Sequence, residues 1–326
     1  MPTLHLKNSF SHPTVRLVLQ NVALIFASLI IVYSVTFVVF ELMPGRFYDT
    51  DVARNDQAIE NIVVKYGLDE DPFSRYIKGL GGLLTLNFGQ SYVDAGRSVN
   101  EIIKQHAPVS FLIGAVSLIV AIGAGLCWSI LLFQRKKMTR AFDIIGLVVL
   151  STPVFIIAIL LQYVIAVQLG WLPVYGITYI ASFILPVVVL SIVPMIIIAQ
   201  VLMADMRKTT SSLYVQAARV RGVDHDTILF EYILRNSLTT TLTYLAPIAA
   251  TILAGSFVVE SIFNIPGLGR YFVTAITNRD YPVIAGLTVF YSILIIGINA
   301  FASIMVNILN RRFKVDPSLN VKRVKR

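Results

Sequence analysis

Six stretches of this 326-residue chain run for twenty residues or more without an Asp, Glu, Lys or Arg, at 21–40, 108–133, 144–168, 182–203, 239–259 and 283–309. A run of that length and polarity is what a helix needs to cross a bilayer. Inside hydrocarbon each backbone N–H and C=O must find its partner within the segment, so every run is predicted to be helical. One such run also suits the core of a soluble protein. Six in succession do not, in a chain that is 56% hydrophobic and 14% charged. The fold class that follows is all-α and polytopic, with six transmembrane helices. The first run is too long for a signal-peptide core, and its end at Phe40–Pro44 lacks a small-residue cleavage site, so no cleaved leader is expected. The one cysteine, Cys127, falls inside the second run and reads as a small apolar residue.

An even number of spans places both termini on one side. Segments 1–20, 134–143, 204–238 and 310–326 hold 18 of the 27 Lys and Arg, whereas loops 169–181 and 260–282 hold only Arg270 and Arg279. Basic residues collect on the cytoplasmic side, so both termini are expected there. The net charge of +9 then reflects topology and contact with anionic membrane lipid, and nucleic acid is not an expected partner. The expected layout is a cytoplasmic lead 1–20, a first transmembrane helix 21–43 and an extracytoplasmic helical segment 44–107. A five-helix core 108–309 follows, with a cytoplasmic loop 204–238, and then a basic cytoplasmic tail 310–326. Segment 44–107 contains amphipathic pieces at Gln57–Tyr66, Pro72–Leu80 and Val99–His106, and reads as a small helical cap outside the membrane. It is open whether that cap touches an extracytoplasmic protein or is simply solvated.

Several chemistries are excluded. The apolar cores carry no Asp, Glu, Lys or Arg, where ion-coupled carriers commonly hold their coupling ion, which argues against self-powered transport without excluding a neutral pathway. The chain has no Gly-Lys dipeptide, hence no phosphate loop of the G-x-x-x-x-G-K-[ST] type. No His/Cys cluster has metal-ligand spacing; His5 and His12 stand alone in the lead. Ser117, Ser129, Ser151 and Ser191 lie in the spans without a histidine to activate them. No enzyme activity and no directly bound cofactor are expected, and any energy must enter through another polypeptide.

The polar insert 204–238 stands out. Ser211 or Ser212 suits a helix start, Leu213–Arg221 is helix-compatible, and Gly222 suits the left-handed position that ends a helix. Asp224 suits the start of a second helix with Ile228, Leu229, Tyr232 and Ile233 as its apolar stripe. Ala217 and Ala218 keep one face slim enough for a partner surface to approach. An ordinary amphipathic surface loop fits the same pattern.

The order Tyr214-Val-Gln-Ala-Ala-Arg-Val-Arg-Gly222, then Leu234-Arg-Asn236, resembles the cytoplasmic "EAA" loop of ABC importer permeases. It looks most like the first (B-type) permease subunit of the oligopeptide/dipeptide/nickel branch. Phe40–Gly45, Tyr66–Asp69, Leu80–Leu84 with Asn87–Gly89, Glu260–Arg270 and Asn278–Pro282 are similar to that branch in the same order, so the resemblance covers nearly the whole chain. Two departures are Gln216, where the general motif has Glu, and Leu213, where an acidic residue is frequent.

The resemblance implies a type I ABC importer permease architecture. Its coupling helix would dock in a groove of an ATPase through Tyr214, Gln216, Ala217, Ala218, Arg219, Gly222, Asp224 and Arg235. It implies a second homologous permease, two ABC ATPases carrying ATP and Mg, and an extracytoplasmic substrate-binding protein, in the cell membrane of a bacterium or archaeon. Glu260, with Asn264 and Arg270, is a candidate outer gate or binding-protein contact; alternatively Glu260 is an interfacial acid facing headgroups. The turn Pro266-Gly-Leu-Gly269 is expected to shape a re-entrant or short surface helix. The implied function is ATP-driven peptide import. Nickel or a metal-chelate or opine substrate is the alternative within the family, and a self-sufficient secondary carrier or channel is the alternative outside it.

Overall fold

The computed structural model describes residues 13–42, 63–64, 66–94, 96–176, 179–253 and 257–311. Most of the piece Gln57–Tyr66 and the tail 312–326 lie outside the described residues. In chain order the helices are α1 (Pro13–Leu42), α2 (Pro72–Leu84), α3 (Val99–Phe133), α4 (Lys136–Ser151) and α5 (Val154–Leu161). Then come α6 (Ile184–Thr210), α7 (Leu213–Val220), α8 (Arg235–Leu253), α9 (Phe257–Ile262), α10 (Leu268–Thr277) and α11 (Tyr281–Arg311). A π-helical turn, Gln162–Gln168, prolongs α5; a single turn, His225–Thr227, and a π-turn, Ile228–Leu234, lead into α8.

Among the described residues five segments are long and apolar enough to cross a membrane: Ala23–Leu42, Val99–Phe133, Ile180–Thr210, Thr241–Ile262 and Tyr281–Phe301. A bent pair, Lys137–Ser151 with Val154–Gln168, makes a sixth if counted as one span. The expected third span, 144–168, is therefore corrected: it is two helices meeting at 104°. Pro153 has no N–H to donate and disfavours helical backbone at Thr152, and Thr152 is extended at φ −93°, ψ 125°. Pro108, Pro194 and Pro247 sit inside continuous helices, so proline alone does not decide the break. Ala158 and Ala166 beyond it are buried in a cluster with Leu185, Val189 and Phe263, which pulls α5 against α6.

The chain divides into two compact units, Met1–Ile103 with Thr274–Ile296 and Lys104–Val273 with Gly297–Arg326. In the first, Leu29, Tyr33, Leu83 and Val289 form a core flanked by Phe37, Tyr76 and Phe88. Helix α2 starts with Pro72 in its first turn and Asp71 accepting from the Phe73 N–H at 3.1 Å. Helix α3 starts at Val99, so the expected boundary at 107/108 falls inside it. Its start is a capping box: the Ser98 hydroxyl accepts from the Glu101 N–H at 3.2 Å while the Glu101 carboxylate accepts from the Ser98 N–H at 3.4 Å. The Asp280 side chain is 3% exposed. It accepts from the Ser91 hydroxyl and from the N–H groups of Tyr92 at 3.0 Å and Val93 at 3.4 Å, tying loop 91–93 to the start of α11. Burial pushes its carboxyl above the ordinary range, against the pull of those donors.

In the second unit α6 is the central helix, with Val189, Ile196, Ile198, Ala199, Leu202 and Met206 among its buried residues. Missing side chains let neighbours come close: a Cβ at Gly114 of α3 would lie 2.6 Å from the Ile252 carbonyl of α8. One at Gly125 would lie 2.8 Å from Ile198 of α6. Small residues at helix contacts are how spans pack where lipid removes the hydrophobic drive between them.

Candidate functional site

The polar insert folds into α7 and the turn that follows it. Ser212 is the residue before the helix, as expected, but its hydroxyl donates to the Thr209 carbonyl at 2.6 Å and caps no amide of α7. The far end is a Schellman closure: Gly222 N–H reaches the Arg219 carbonyl at 3.0 Å and Val223 N–H the Ala218 carbonyl at 3.2 Å. Gly222 is left-handed at φ +77° with nothing around it, a backbone that glycine adopts without strain. Asp224 then accepts from the Thr227 N–H at 2.9 Å, and these bonds hold its carboxyl below the ordinary range. The expected stripe, Ile228, Leu229, Tyr232 and Ile233, lies along the chain from 228 to 233 and packs with Leu202, Met206 and Val215.

The two alanines do not share a role. Ala218 is 3% exposed and belongs to this inner cluster. Its slimness serves the chain's own packing. Ala217 is half-buried. The outward face consists of Leu213, Tyr214, Gln216, Arg219 and Val220, with Arg221, Gly222, Asp224 and Arg235 exposed nearby. Leu213 is 83% and Val220 89% exposed, two apolar side chains seven residues apart on one face of a short helix. Their spacing in a polar insert is the sequence signal for that face. Gln216 donates to the Ser211 carbonyl at 3.1 Å, bracing α7 against the end of α6.

The second candidate cluster is a closed cradle. Glu260 is 1% exposed, so it neither faces headgroups nor lies open as a gate. One carboxylate oxygen accepts from the Gly269 N–H at 2.8 Å and the Arg270 N–H at 3.3 Å, and the Ser110 hydroxyl accepts from the Leu268 N–H at 2.9 Å. Three amides at the start of α10, which have no partner within the helix, are thus satisfied, two by a carboxylate at the positive end of the helix dipole and one by a hydroxyl. The turn Pro266–Gly269 does shape a short helix, with its amides turned on the chain's own acid. A Cβ at Gly267 would collide with Glu260 and Ser110, and one at Gly269 would lie 2.5 Å from the Phe257 Cα. Asn264 is exposed and left-handed at φ +54°, closing α9, while Arg270 is half-buried. Nearby, His106 Nδ1 lies 2.8 Å from the Pro266 carbonyl and its ring is 4.9 Å from that of Tyr271. Ser110 and Asp280 were missed as anchors because nothing local marks a serine or aspartate whose partners lie more than 150 residues away.

A bundle of apolar helices with an exposed helix on a polar insert is the form of a transport permease. The family model for the binding-protein-dependent transport system inner membrane component matches residues 96–315, and the chain belongs to that family. The dipeptide transport system permease protein of Bacillus subtilis (strain 168) is 34% identical over 291 residues, 89% of this chain and 94% of that protein. The oligopeptide transport system permease protein of Haemophilus influenzae is 31% identical over 294 residues, 88% of this chain and 95% of that protein. The dipeptide transport system permease protein of Lactococcus lactis subsp. cremoris is 29% identical over 303 residues, 92% and 100%. A solved structure, the "Crystal structure of an amino acid ABC transporter with histidines", has the same fold over 64% of this chain and 94% of that chain, with TM-score 0.52 and 17% identity.

Proposed function

We infer that the chain is the non-catalytic membrane subunit of an ATP-driven peptide importer, forming half of the pathway beside a second, homologous permease. Relatives named for dipeptide and oligopeptide transport, matched over nearly their whole length, favour peptides over nickel or metal chelates. Energy would come from two ATPase subunits that bind ATP and Mg, and substrate from an extracytoplasmic binding protein. The termini and α7 would face the cytoplasm, a reading that the distribution of Lys and Arg supports.

The observation that carries the coupling role is the exposed face of α7. Leu213 and Val220 present apolar surface beside Tyr214 and Arg219, on a helix clamped from behind by Val215 and Ala218. A lever must be stiff on its own side and sticky on the other. It must also bind open and closed ATPases unequally, because only a difference in affinity moves an equilibrium. Val220→Asp in the complex reconstituted with its second permease and ATPases is expected to lower ATP-driven dipeptide uptake about tenfold, in the range of coupling energies. The chain should still insert and assemble, since position 220 touches nothing inside. Uptake at the level of the unsubstituted complex would remove α7 from the docking surface.

A further inference from the structure

Helix α2 reads from the sequence as part of a cap outside the membrane, but its contacts run down the side of a span. Arg75 donates to both carboxylate oxygens of Glu41, at 2.8 and 3.0 Å, one residue from the end of the segment Ala23–Leu42. The Tyr76 hydroxyl is 2.7 Å from that of Ser34, and its ring lies 5.4 Å from Phe37 and 5.8 Å from Tyr33. Gly79 sits where a side chain would strike the Tyr33 ring. As α2 advances, its partners recede along α1 from Glu41 to Tyr33, so the two helices run antiparallel. At about 1.5 Å per residue Tyr33 is about 14 Å from Leu42, close to half of a hydrocarbon core of about 30 Å.

The rest of α2 and its exit agree with that depth. No charged residue occurs from Gly79 to Val93, and apolar runs shorter than a span are typical of interfacial or re-entrant segments. The two cations of α2 both reach back toward its start, Arg75 to Glu41 and Lys78 to Glu70, as long basic side chains do when they seek the headgroup level. The exit loop satisfies its own backbone: Asn87 N–H bonds the Gly82 carbonyl at 2.8 Å, and Asn100 takes the Phe88 N–H at 3.2 Å and the Leu86 carbonyl at 2.7 Å. Tyr76, Gly79 and Leu83 face the unit's interior, whereas Phe73, Ile77 and Leu84 form a stripe at i, i+4 and i+11 that is 70%, 49% and 69% exposed. The adjoining surface of α1 is equally apolar, with Val35, Val38 and Leu42 exposed.

We propose that α2 is inserted in the membrane alongside α1 and presents Phe73, Ile77 and Leu84 to phospholipid acyl chains on the face where α1 ends. The stripe continues the lipid-facing surface of a span, and acyl chain is the occupant that matches it. An exposed apolar patch of this kind marks a contact surface, and its continuity with α1 makes that contact lipid.

The test is depth, read in the assembled transporter in phosphatidylcholine nanodiscs. Single spin labels go at Phe73→Cys, Ile77→Cys and Leu84→Cys, with Asp69→Cys as reference, in a Cys127→Ala background. These positions are exposed, so cysteine there disturbs no packing. Collisions with oxygen should rise from 73 to 84. Collisions with a water-soluble nickel chelate should fall to about one-tenth of the Asp69 value, because a polar solute enters hydrocarbon at high cost. Chelate access at Leu84 equal to that at Asp69 would make α2 a solvated cap. Low access to both probes would mean that protein, not lipid, covers the stripe. Either result overturns the proposal.

Discussion

Glu260 shows how a single buried acid serves as scaffold. Three amides at the start of α10 point into a pocket that holds one carboxylate and one hydroxyl, and neither Gly267 nor Gly269 has room for a side chain. Removing the carboxylate takes the acceptor away from the buried Gly269 and Arg270 amides, while Leu268 keeps the Ser110 hydroxyl. Glu260→Ala is therefore expected to cost about 2–3 kcal/mol, the usual scale for bonds to a charged group, measured by unfolding of the purified permease in mixed micelles. Wild-type stability would show that water or another residue replaces the carboxylate. The acid itself was visible at the end of an apolar run. Its partners were not, because Ser110 lies far away in the chain and backbone amides carry no sequence label.

Helix ends in this protein follow one geometry with different residues. Among the described residues five of them close through a left-handed residue with paired bonds back into the helix: Gly67, Leu86, Gly222, Asn264 and Arg279. Glycine marks the conformation at Gly67 and Gly222, so those two stops were legible; the other three are held by what the chain does next. After Arg279 comes Asp280, which receives the loop Ser91–Val93 and begins α11. Its pKa is raised by burial, so the fold disfavours the ionised form. The penalty is absent below the unfolded pKa, about 3.9, and complete above the folded one. The stability of the wild type relative to Asp280→Asn is therefore expected to fall as pH rises from about 4 through the raised folded-state pKa. Thermal midpoints of both proteins across that range give the measurement. A difference that is flat or grows with pH would mean that the hydrogen bonds outweigh the desolvation.

The chain as a whole carries, among its described residues, apolar segments able to span a membrane and a helix, α7, exposed on a polar insert. Vesicles holding it alone are expected to accumulate no dipeptide, and adding the second permease, the ATPases and ATP should start uptake; radiolabelled dipeptide trapped inside vesicles is the readout. Accumulation by the single polypeptide would revive the self-sufficient carrier. The number and placing of apolar runs, the charge asymmetry and the turn at Gly222 could all be read residue by residue, because lipid demands length and low charge locally and a left-handed turn demands glycine locally. Tertiary packing alone decided that the third run bends at Pro153, that Ala218 looks inward while Leu213 and Val220 look out, that Glu260 is enclosed, and that α2 lies along α1. Each of those depends on which distant surface fills the space beside a residue, and that is a property of the packed chain rather than of any window of sequence.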